Sequence, residues 1–403
     1  MAEIGGGFDP AAATAAYLAQ LPPEAHQRAI AYTHGDHWLL LWGALVAVAS
    51  GWLILKSEIL VGIRRRIASS RRRPWLAVAA TAAAALVMDT ILELPWDVYA
   101  DWWRERSYGL TSRPFPGWLV ETLTKDLIYG LVMLVFLLGL YALIRRSPRR
   151  WWLWGAGLTG VLSVVLLVLA PVFIAPLFNR FEPAPAGPVR EAVVALAQAN
   201  GVPSDKIVVY DGSKQSNRYT AHVSGAFGAA QIAMSDVMFK KGADMAEVRG
   251  VVGHEMGHYA HMHTLLQALF VALAALATFY LTDRLFPLVQ ELTGADDVQG
   301  LADPAGLPII AIIVTLLGLL ATPISNAGSR FFEADADRYS LTRANEPDGL
   351  ARALVKTIEY RAASPSPVEE FIFYSHPSVG SRIRRAMDWK STHPAGAIPS
   401  RKP

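Results

Sequence analysis

The sequence predicts a mainly α-helical integral membrane protein, in which about six transmembrane helices accompany a smaller α+β domain with a small antiparallel sheet. Composition is the first reason: the 403 residues are 53% hydrophobic and only 18% charged, and the mean hydropathy is positive, as is typical of membrane proteins. The second is distribution, because the apolar residues form runs long enough to cross a bilayer, with Trp, Lys and Arg near their ends.

Charge and cysteine content exclude several other classes. The chain has no cysteine, so it forms neither a disulfide framework nor a thiolate metal site, and any zinc has to be held by His and carboxylate. The formal net charge is +3, but Lys and Arg fall in short clusters between apolar runs. That distribution indicates membrane-flanking charge, and we expect no nucleic-acid partner.

Four spans are predicted in the N-terminal half of the chain. They cover residues 38–55, 75–92, 127–144 and 151–172, each about the length that crosses a bilayer as a helix. A buried helix of a soluble protein is the alternative for any one run, but four runs with Trp and Arg at their ends argue against it. Residues 93–126 are aromatic, charged and interrupted by proline, which predicts an interfacial segment.

The middle of the chain predicts the α+β unit, and two further spans follow it. Helical periodicity covers residues 187–199, and β-runs follow at 206–210, 217–225 and 229–236. The fifth and sixth spans are predicted at 265–281 and 307–324, with an acidic connection at 286–306 between them. The remaining C-terminal residues are polar, with a helical pattern to about Ala363 and a tail expected to be disordered.

The motif HEMGH, residues 254–258, carries the strongest chemical signal. On a helix, positions i and i+4 share one face, so His254 and His258 can direct both imidazoles at one metal ion. Glu255 is rotated about one step round the helix and can reach a water on that ion without being a ligand. The pattern predicts a zinc peptidase site with one catalytic ion.

A third ligand has to come from elsewhere in the chain. His261 shares the helical face, but at 1.5 Å per residue it lies roughly 10 Å along the axis from His254, too far for bonds of about 2 Å to one ion. After the sixth span, Glu333 and Asp337 stand i,i+4 in the segment NAGSRFFEADADRYS. Glu333 could bind the metal, and Asp337 could accept the second ring N–H of a ligating histidine. An acidic solvated helix face is the alternative.

The sequence resembles the type I CAAX prenyl proteases, which are membrane-embedded zinc endopeptidases. HEMGH with a later His263 is similar to the family's HExGHW and distant His, and residues 326–337 fit its N-x-x-S-R-x-x-E-x-x-x-D pattern. Further similarity lies in LELPWDVY, IAPLFNRFEP, DGSKQSN and HPSVGSR, at residues 92–99, 174–183, 211–217 and 376–382. There are two departures: family members from eukaryotes have seven spans where six are predicted here, and Tyr259 replaces the usual Trp.

The resemblance implies a role for each matching residue. His254, His258 and Glu333 become zinc ligands, and Glu255 the general base. It also implies that transmembrane helices wall a chamber around the site. The other implied site residues are Asp337 as partner of a ligating His, His376 and Arg382 near the zinc and the developing oxyanion, and Asn326, Arg330 and His263 as support.

Five parts of the chain are expected on this basis. They are an N-terminal membrane domain with four spans at 1–175, the first part of the peptidase domain at 176–264, two further spans at 265–325, the second part of the peptidase domain with Glu333 at 326–390, and a disordered tail at 391–403.

We expect the substrate to be a peptide or a membrane-protein segment, with or without a lipid, that reaches the zinc from the bilayer. It would add as a strand to the sheet edge near Asn217, Tyr219, His222 and Ser224. A broad-specificity quality-control protease for membrane proteins is the alternative within enzymes, since no residue pattern identifies an isoprenoid pocket. A zinc transporter or scaffold is the alternative of another class, but it predicts ionisable residues inside the spans, which contain almost none apart from Asp89.

Two arguments about orientation conflict. The Lys and Arg of residues 56–74 and 145–150 favour a cytoplasmic position for these loops, which would place the zinc domain outside. The family resemblance implies a cytoplasmic zinc domain, and we adopt that reading, in a bacterial inner membrane.

Overall fold

The structure is a computed structural model that describes residues 8–68, 74–215, 220–224, 231–240, 243–358 and 361–393. Within these residues, six helices are long and apolar enough to cross a membrane, as the sequence predicts. The α-helices are α1 (Pro10–Leu18), α2 (Pro23–Lys56), α3 (Ile59–Ala68), α4 (Pro74–Asp97), α5 (Arg104–Ser107), α6 (Phe115–Arg146), α7 (Trp151–Leu169), α8 (Ala175–Phe178), α9 (Pro188–Ala199), α10 (Met245–Ala260), α11 (His263–Thr293), α12 (Leu307–Arg343), α13 (Pro347–Val355), α14 (Pro367–Phe373) and α15 (Val379–Thr392).

Several helices are considerably longer than the apolar runs from which they are predicted. The predicted interfacial segment is largely helical: α4 continues through a π-helical turn, Val98–Trp103, into α5, and α6 already begins at Phe115. Likewise α11 runs on to Thr293 and so takes in part of the predicted acidic connection. Hydropathy marks only the part of a helix that suits lipid, whereas backbone hydrogen bonding continues through polar residues.

The sheet has four short strands, β1 (Phe181–Pro183), β2 (Ile207–Tyr210), β3 (Ala221–Ser224) and β4 (Gln231–Ser235). Their order is β1-β2-β4-β3. β2 and β4 run parallel, while the β1–β2 and β3–β4 pairs are antiparallel. The purely antiparallel sheet expected from the sequence is therefore wrong. The reason is that β3 lies at the edge of the sheet, next to β4 and not next to β2. The chain reverses between β3 and β4, so β4 runs beside β2 in the same direction.

The Cα positions group into two compact units. One comprises Met1–His37, Val168–Thr264 and Thr322–Pro403, and the other Trp38–Leu167 and Leu265–Ala321. The first unit holds two apolar cores. One lies between the sheet and helices α9 and α10, around Val193, Ile232 and Val252, and the other is formed by α13 and α15. The five-part division of the chain given above stays a prediction.

The second unit contains most of the apolar helical residues, and many of its large apolar side chains are exposed, as in a membrane protein. Its core is built around Tyr141, Trp151 and Phe286, yet large apolar side chains such as Leu131, Val135 and Val161 are exposed. A water-soluble protein rarely exposes contiguous apolar surface on this scale. The chamber implied by the resemblance stays a prediction.

Contacts among three connections agree with six crossings. Arg64 forms a buried ion pair with Asp303, and Arg65 pairs with Asp297. Arg145 donates to the backbone oxygen of Ala302 at 3.4 Å. The connections after the first, third and fifth spans thus lie on one side, as they must if each span crosses the bilayer once.

Candidate metal centre

Helix α10 carries HEMGH and is fixed at both ends. At its start, the Asp244 carboxylate accepts a hydrogen bond from the backbone N–H of Ala246 at 2.8 Å and is paired with Arg352. A side-chain oxygen at this position satisfies one of the free N–H groups of the first turn. The helix ends at Ala260 with His261 as its C-cap residue, and Met262 then takes a left-handed conformation with φ 52°.

Glycines allow α10 to lie directly against α12. A Cβ added at Gly257 would come within 2.9 Å of the Tyr339 Cβ and 3.0 Å of the Ala336 Cα. The Ser340 hydroxyl also donates to the backbone oxygen of Gly250 at 2.7 Å. Helix backbones that approach this closely leave only short side chains between them. The contact brings the histidines of α10 to the acids of α12.

Three ligand-type side chains converge where these helices meet: His254, His258 and Glu333. The Nε2 atoms of the two histidines are 3.2 Å apart. Glu333 Oε2 lies 3.3 Å from His254 Nε2, and its Oε1 lies 3.6 Å from His258 Nε2. Ligands held tetrahedrally by bonds of about 2.0–2.1 Å are about 3.3–3.4 Å apart. This group could therefore hold a metal ion.

Asp337 connects His254 to a buried arginine. Its Oδ1 lies 3.0 Å from His254 Nδ1, and it accepts from Arg382 Nη2 at 2.6 Å, while Oδ2 accepts from Arg382 Nε at 2.8 Å. All three side chains are buried. Charge-assisted paired hydrogen bonds of this kind fix both partners geometrically. His254 is thereby oriented with Nδ1 toward Asp337 and Nε2 toward Glu333.

The two histidines of the motif differ in their protonation. Burial opposes a charge on His254, but its contacts with Asp337 and Glu333 raise its pKa to about 10. For His258, burial and the neighbouring His254 lower the pKa to about 4. Burial lowers the pKa of both rings, and only at His254 do the neighbouring carboxylates outweigh this effect.

Glu255 sits on the same helix with a partly buried side chain. Burial, opposed by the neighbouring His254 and assisted by Glu333, raises the pKa of its carboxyl to about 7. A carboxylate with a pKa near neutrality is suited to both accepting and releasing a proton.

His376 lies next to Glu333, and Asn326 and Arg330 contact the segment that precedes His376. His376 Nε2 lies 3.3 Å from Glu333 Oε1, and burial lowers the pKa of this imidazole to about 4. Asn326 donates to the Ile372 backbone oxygen at 2.7 Å, and Arg330 donates to the backbone oxygens of Glu370 and Tyr374. Asn326 and Arg330, both on α12, therefore hold the segment that leads to His376.

The remaining predicted residues have varied positions. His263 Nδ1 lies 3.0 Å from His258 Nδ1, on the side of the ring away from Glu333. His222 and Ser224 lie on β3, against which α10 packs. Asn217 and Tyr219 fall outside the described residues.

Two features of the site went unnoticed in the sequence. The first is the glycine pair Gly253 and Gly257, each one residue before a motif histidine, whose spacing of four is a sequence signal for close helix packing. The second is Asp335, which contacts both His261 and His263. It lies between Glu333 and Asp337 in the run EADAD, so its residue type was visible but its partners were not.

Comparison with known proteins gives a consistent result over nearly the whole chain. Residues 183–390 match peptidase family M48, and residues 11–180 match the CAAX prenyl protease N-terminal domain, described as five membrane helices. An uncharacterized metalloprotease, YhfN, of Bacillus subtilis is 28% identical over 85% of this chain and 81% of its own length.

Relatives from eukaryotes and a solved structure extend the comparison. The CAAX prenyl protease 1 homolog of Oryza sativa is 28% identical over 76% of this chain and 72% of its own, and CAAX prenyl protease 1 of Saccharomyces cerevisiae is 26% identical over 75% and 70%. The crystal structure of S. mikatae Ste24p has the same fold, with a TM-score of 0.73, 21% identity, and coverage of 94% of this chain and 95% of that chain.

Fold, site and relatives together define a multi-pass membrane metalloendopeptidase. More specifically, the chain belongs to peptidase family M48. Its substrate is accordingly a peptide, and its surroundings are a lipid bilayer.

Proposed function

We propose that the protein hydrolyses peptide bonds with one zinc ion held by His254, His258 and Glu333. The separations of 3.2, 3.3 and 3.6 Å between the facing ligand atoms carry this proposal. The buried Oε2 of Glu333 also has no hydrogen-bond partner, which is costly for a carboxylate unless a cation satisfies it. Two imidazoles and one carboxylate are a common donor set of catalytic zinc.

Zinc at this position would supply Lewis acidity, which acidifies water and polarises the scissile carbonyl. Glu255 is the general base. Its carboxylate takes a proton from the attacking water and returns it to the nitrogen of the leaving amine. A pKa raised toward 7 by burial supports this double use, because neither protonation state is then strongly disfavoured at neutral pH.

Asp337 and Arg382 prepare His254. Asp337 accepts a hydrogen bond from the Nδ1–H group of His254, which leaves the Nε2 lone pair free to bind zinc. The Arg382 guanidinium is engaged by both Asp337 oxygens and lies 4.0 Å from Glu333 Oε2. We therefore assign Arg382 to positioning through Asp337, and the oxyanion to His376, whose neutral imidazole can donate a hydrogen bond.

The substrate would bind as an added strand beside β3. Within the described residues, β3 pairs with β4 on one side only. The Ser235 N–H donates to the Thr220 oxygen, so Thr220, His222 and Ser224 direct their backbone groups to β4, and Ala221 and Val223 direct theirs to the open edge. Strand addition at this edge would hold an extended peptide.

As to substrate class, we propose CAAX-type, lipidated or membrane-associated peptides. The support is that CAAX prenyl protease 1 and several homologs are among the relatives. We place the protein in a bacterial inner membrane with the peptidase domain in the cytoplasm.

The decisive experiment uses the full chain in lipid nanodiscs with a fluorogenic peptide. Glu255→Gln is expected to retain one zinc per chain and to lose at least about 100-fold in kcat/KM, whereas Glu333→Ala is expected to lose the metal as well. Full activity of Glu255→Gln would refute the mechanism. Comparison of farnesylated and unmodified forms of the same peptide tests the substrate class, since equal rates would indicate a broad-specificity quality-control protease.

A further inference from the structure

A second group of metal-ligand atoms lies beside the candidate zinc site and shares no residue with it. It consists of His261, His263 and Asp335, whose ligand atoms all lie within 4.8 Å of one another. Asp335 Oδ2 contacts His261 Nδ1 and lies 3.2 Å from His263 Nε2. Two imidazoles and a carboxylate again form the donor set.

The turn between α10 and α11 creates this group. His261 caps the C-terminus of α10 and His263 begins α11. With the left-handed Met262 between them, both rings reach Asp335. His263 is 2% exposed, whereas His261 is exposed. The group therefore has a fixed inner ligand and an outer ligand open to solvent. The other Asp335 oxygen lies 3.8 Å from Arg338 Nη1, whose side chain is 72% exposed.

We propose that His261, His263 and Asp335 form a second binding site for a divalent transition metal of the Zn²⁺ type, and that occupation of this site inhibits the peptidase. Imidazole and carboxylate together favour zinc and its neighbours over Mg²⁺ or Ca²⁺. An exposed outer ligand makes the site weaker than the buried first one, so it fills at higher metal concentration.

Inhibition follows from the contact between His263 and His258, and this step rests on the proposed function. If His258 binds zinc through Nε2, its proton is on Nδ1, and this N–H donates a hydrogen bond to His263 Nδ1, 3.0 Å away. His263 then carries its own proton on Nε2, toward Asp335. A metal on His263 Nε2 moves that proton to Nδ1, and two N–H groups face each other at the same contact. Either His263 turns away or His258 loses its preferred orientation.

The first measurement counts metal without using activity. The full chain in nanodiscs is dialysed against buffers of increasing free Zn²⁺, and bound zinc is determined by mass spectrometry. Wild type and Glu255→Gln are expected to bind one zinc at low and two at high concentration. His261→Ala is expected to stay at one, as is Asp335→Asn, which keeps the shape of the carboxylate. His393→Ala, which removes a histidine stacked on Trp389, is the matched control and should still bind two.

The second measurement follows hydrolysis over the same zinc series. We expect excess zinc to inhibit wild type and His393→Ala, and the half-inhibiting concentration to rise at least about tenfold in His261→Ala, since even loss of a partner outside the ligand set weakens metal sites 10–100-fold. Its activity at low zinc should stay within about twofold of wild type, because His261 contacts Asp335 and not the first ligand group.

The outcomes separate the two proposals. Two zinc ions in His261→Ala, or unchanged inhibition in that variant, would overturn the second site. A chain that binds no zinc at low concentration, or binds one zinc without hydrolysing peptide, would instead refute the proposed function. A second zinc without inhibition would leave the site and remove its coupling to His258.

Discussion

At the scale of single residues, the proposed metal centre depends on a buried charge pair. Asp337 contacts His254 and Arg382 at once, and all three are buried. Such a pair contributes little net stability, but removal of one partner leaves the other charge without compensation. Asp337 thus has two separable effects, one on the metal and one on the fold.

Asp337→Asn is expected to weaken zinc binding about 10–100-fold, because the amide cannot replace an ionised acceptor for the His254 Nδ1 proton. A zinc competition titration with a chromophoric chelator measures this. The variant also leaves the buried charge of Arg382 without its carboxylate partner, which destabilises the fold. The double variant Asp337→Asn/Arg382→Gln removes that charge as well. It should recover thermal stability but not zinc affinity.

Asp348→Asn provides the matched control. Asp348 accepts hydrogen bonds from Lys390 and Tyr17 in the same unit, on residues outside the metal centre. Its substitution should leave zinc affinity unchanged. Equal weakening by both substitutions would show that Asp337 acts through general stability.

Residue type and spacing, together with the family resemblance, were enough to single out three side chains that lie together in the structure and could hold a metal ion. His254 and His258 share a helical face, and Glu333 was identified by its i,i+4 relation to Asp337 and by the family pattern. The contacts of His263 with His258 and of Asp335 with His261 could not be predicted, because they depend on a left-handed turn at Met262 and on the rotation of α12 about its axis.

At the scale of elements, the packing of α10 on α12 decides whether the two halves of the site meet. Gly257→Ala would place a Cβ within 3.0 Å of backbone on α12, which cannot move aside like the end of a flexible side chain. We expect a loss of about 1–3 kcal/mol in stability, as for other overpacked sites, and reduced zinc occupancy. Thermal denaturation and metal analysis measure the two effects.

Gly157→Ala is the control for that substitution. It lies inside α7, and a Cβ there meets no atom within 4 Å. It should be neutral or slightly stabilising, since alanine favours the helix by up to about 1 kcal/mol. If Gly257→Ala behaved in the same way, the close approach of the helices would not matter for the site.

The open edge of β3 gives a second prediction at this scale. Val223→Pro removes an N–H that points away from β4, so the sheet should survive. Loss of one hydrogen bond to an added strand, about 1.4 kcal/mol, lowers kcat/KM about tenfold. Val223→Ala shortens the side chain, keeps the N–H and should retain activity. Wild-type cleavage by the proline variant, with zinc bound, would exclude strand addition at this residue.

The strands themselves were predicted, but their order was not. Alternation and turn residues located the runs that became β2, β3 and β4, whereas β1 was missed because only Phe181–Pro183 forms it. Which strand pairs with which depends on non-local contacts, and these have no signature in the local pattern.

At the scale of the whole molecule, six crossings require both termini to lie on one side of the membrane. The contacts of Arg64 with Asp303 and of Arg145 with Ala302 join connections on the opposite side. Arg64 and Arg65 are also engaged by acidic partners, which weakens the argument that free positive charge holds these connections in the cytoplasm.

Reporters fused before Met1 and after Pro403 test this arrangement. A fluorescent protein that matures only in the cytoplasm should be bright at both ends, and an enzyme active only outside should be silent at both. Opposite results at the two ends would require an odd number of spans. Activity of the external reporter at both ends would reverse the orientation and keep the number.

Because the two halves of the metal centre are far apart in the chain, their ligands are synthesised at different times. Helix α10 leaves the ribosome with His254 and His258 in place, but Glu333 follows only after α11 and most of α12 have been made. Because chains fold from the N-terminus as they are synthesised, the early product holds two of the three proposed ligands. A nascent chain would therefore be inert as a peptidase until its last long helix is in the membrane, and could not cleave unfinished neighbours at the site of insertion.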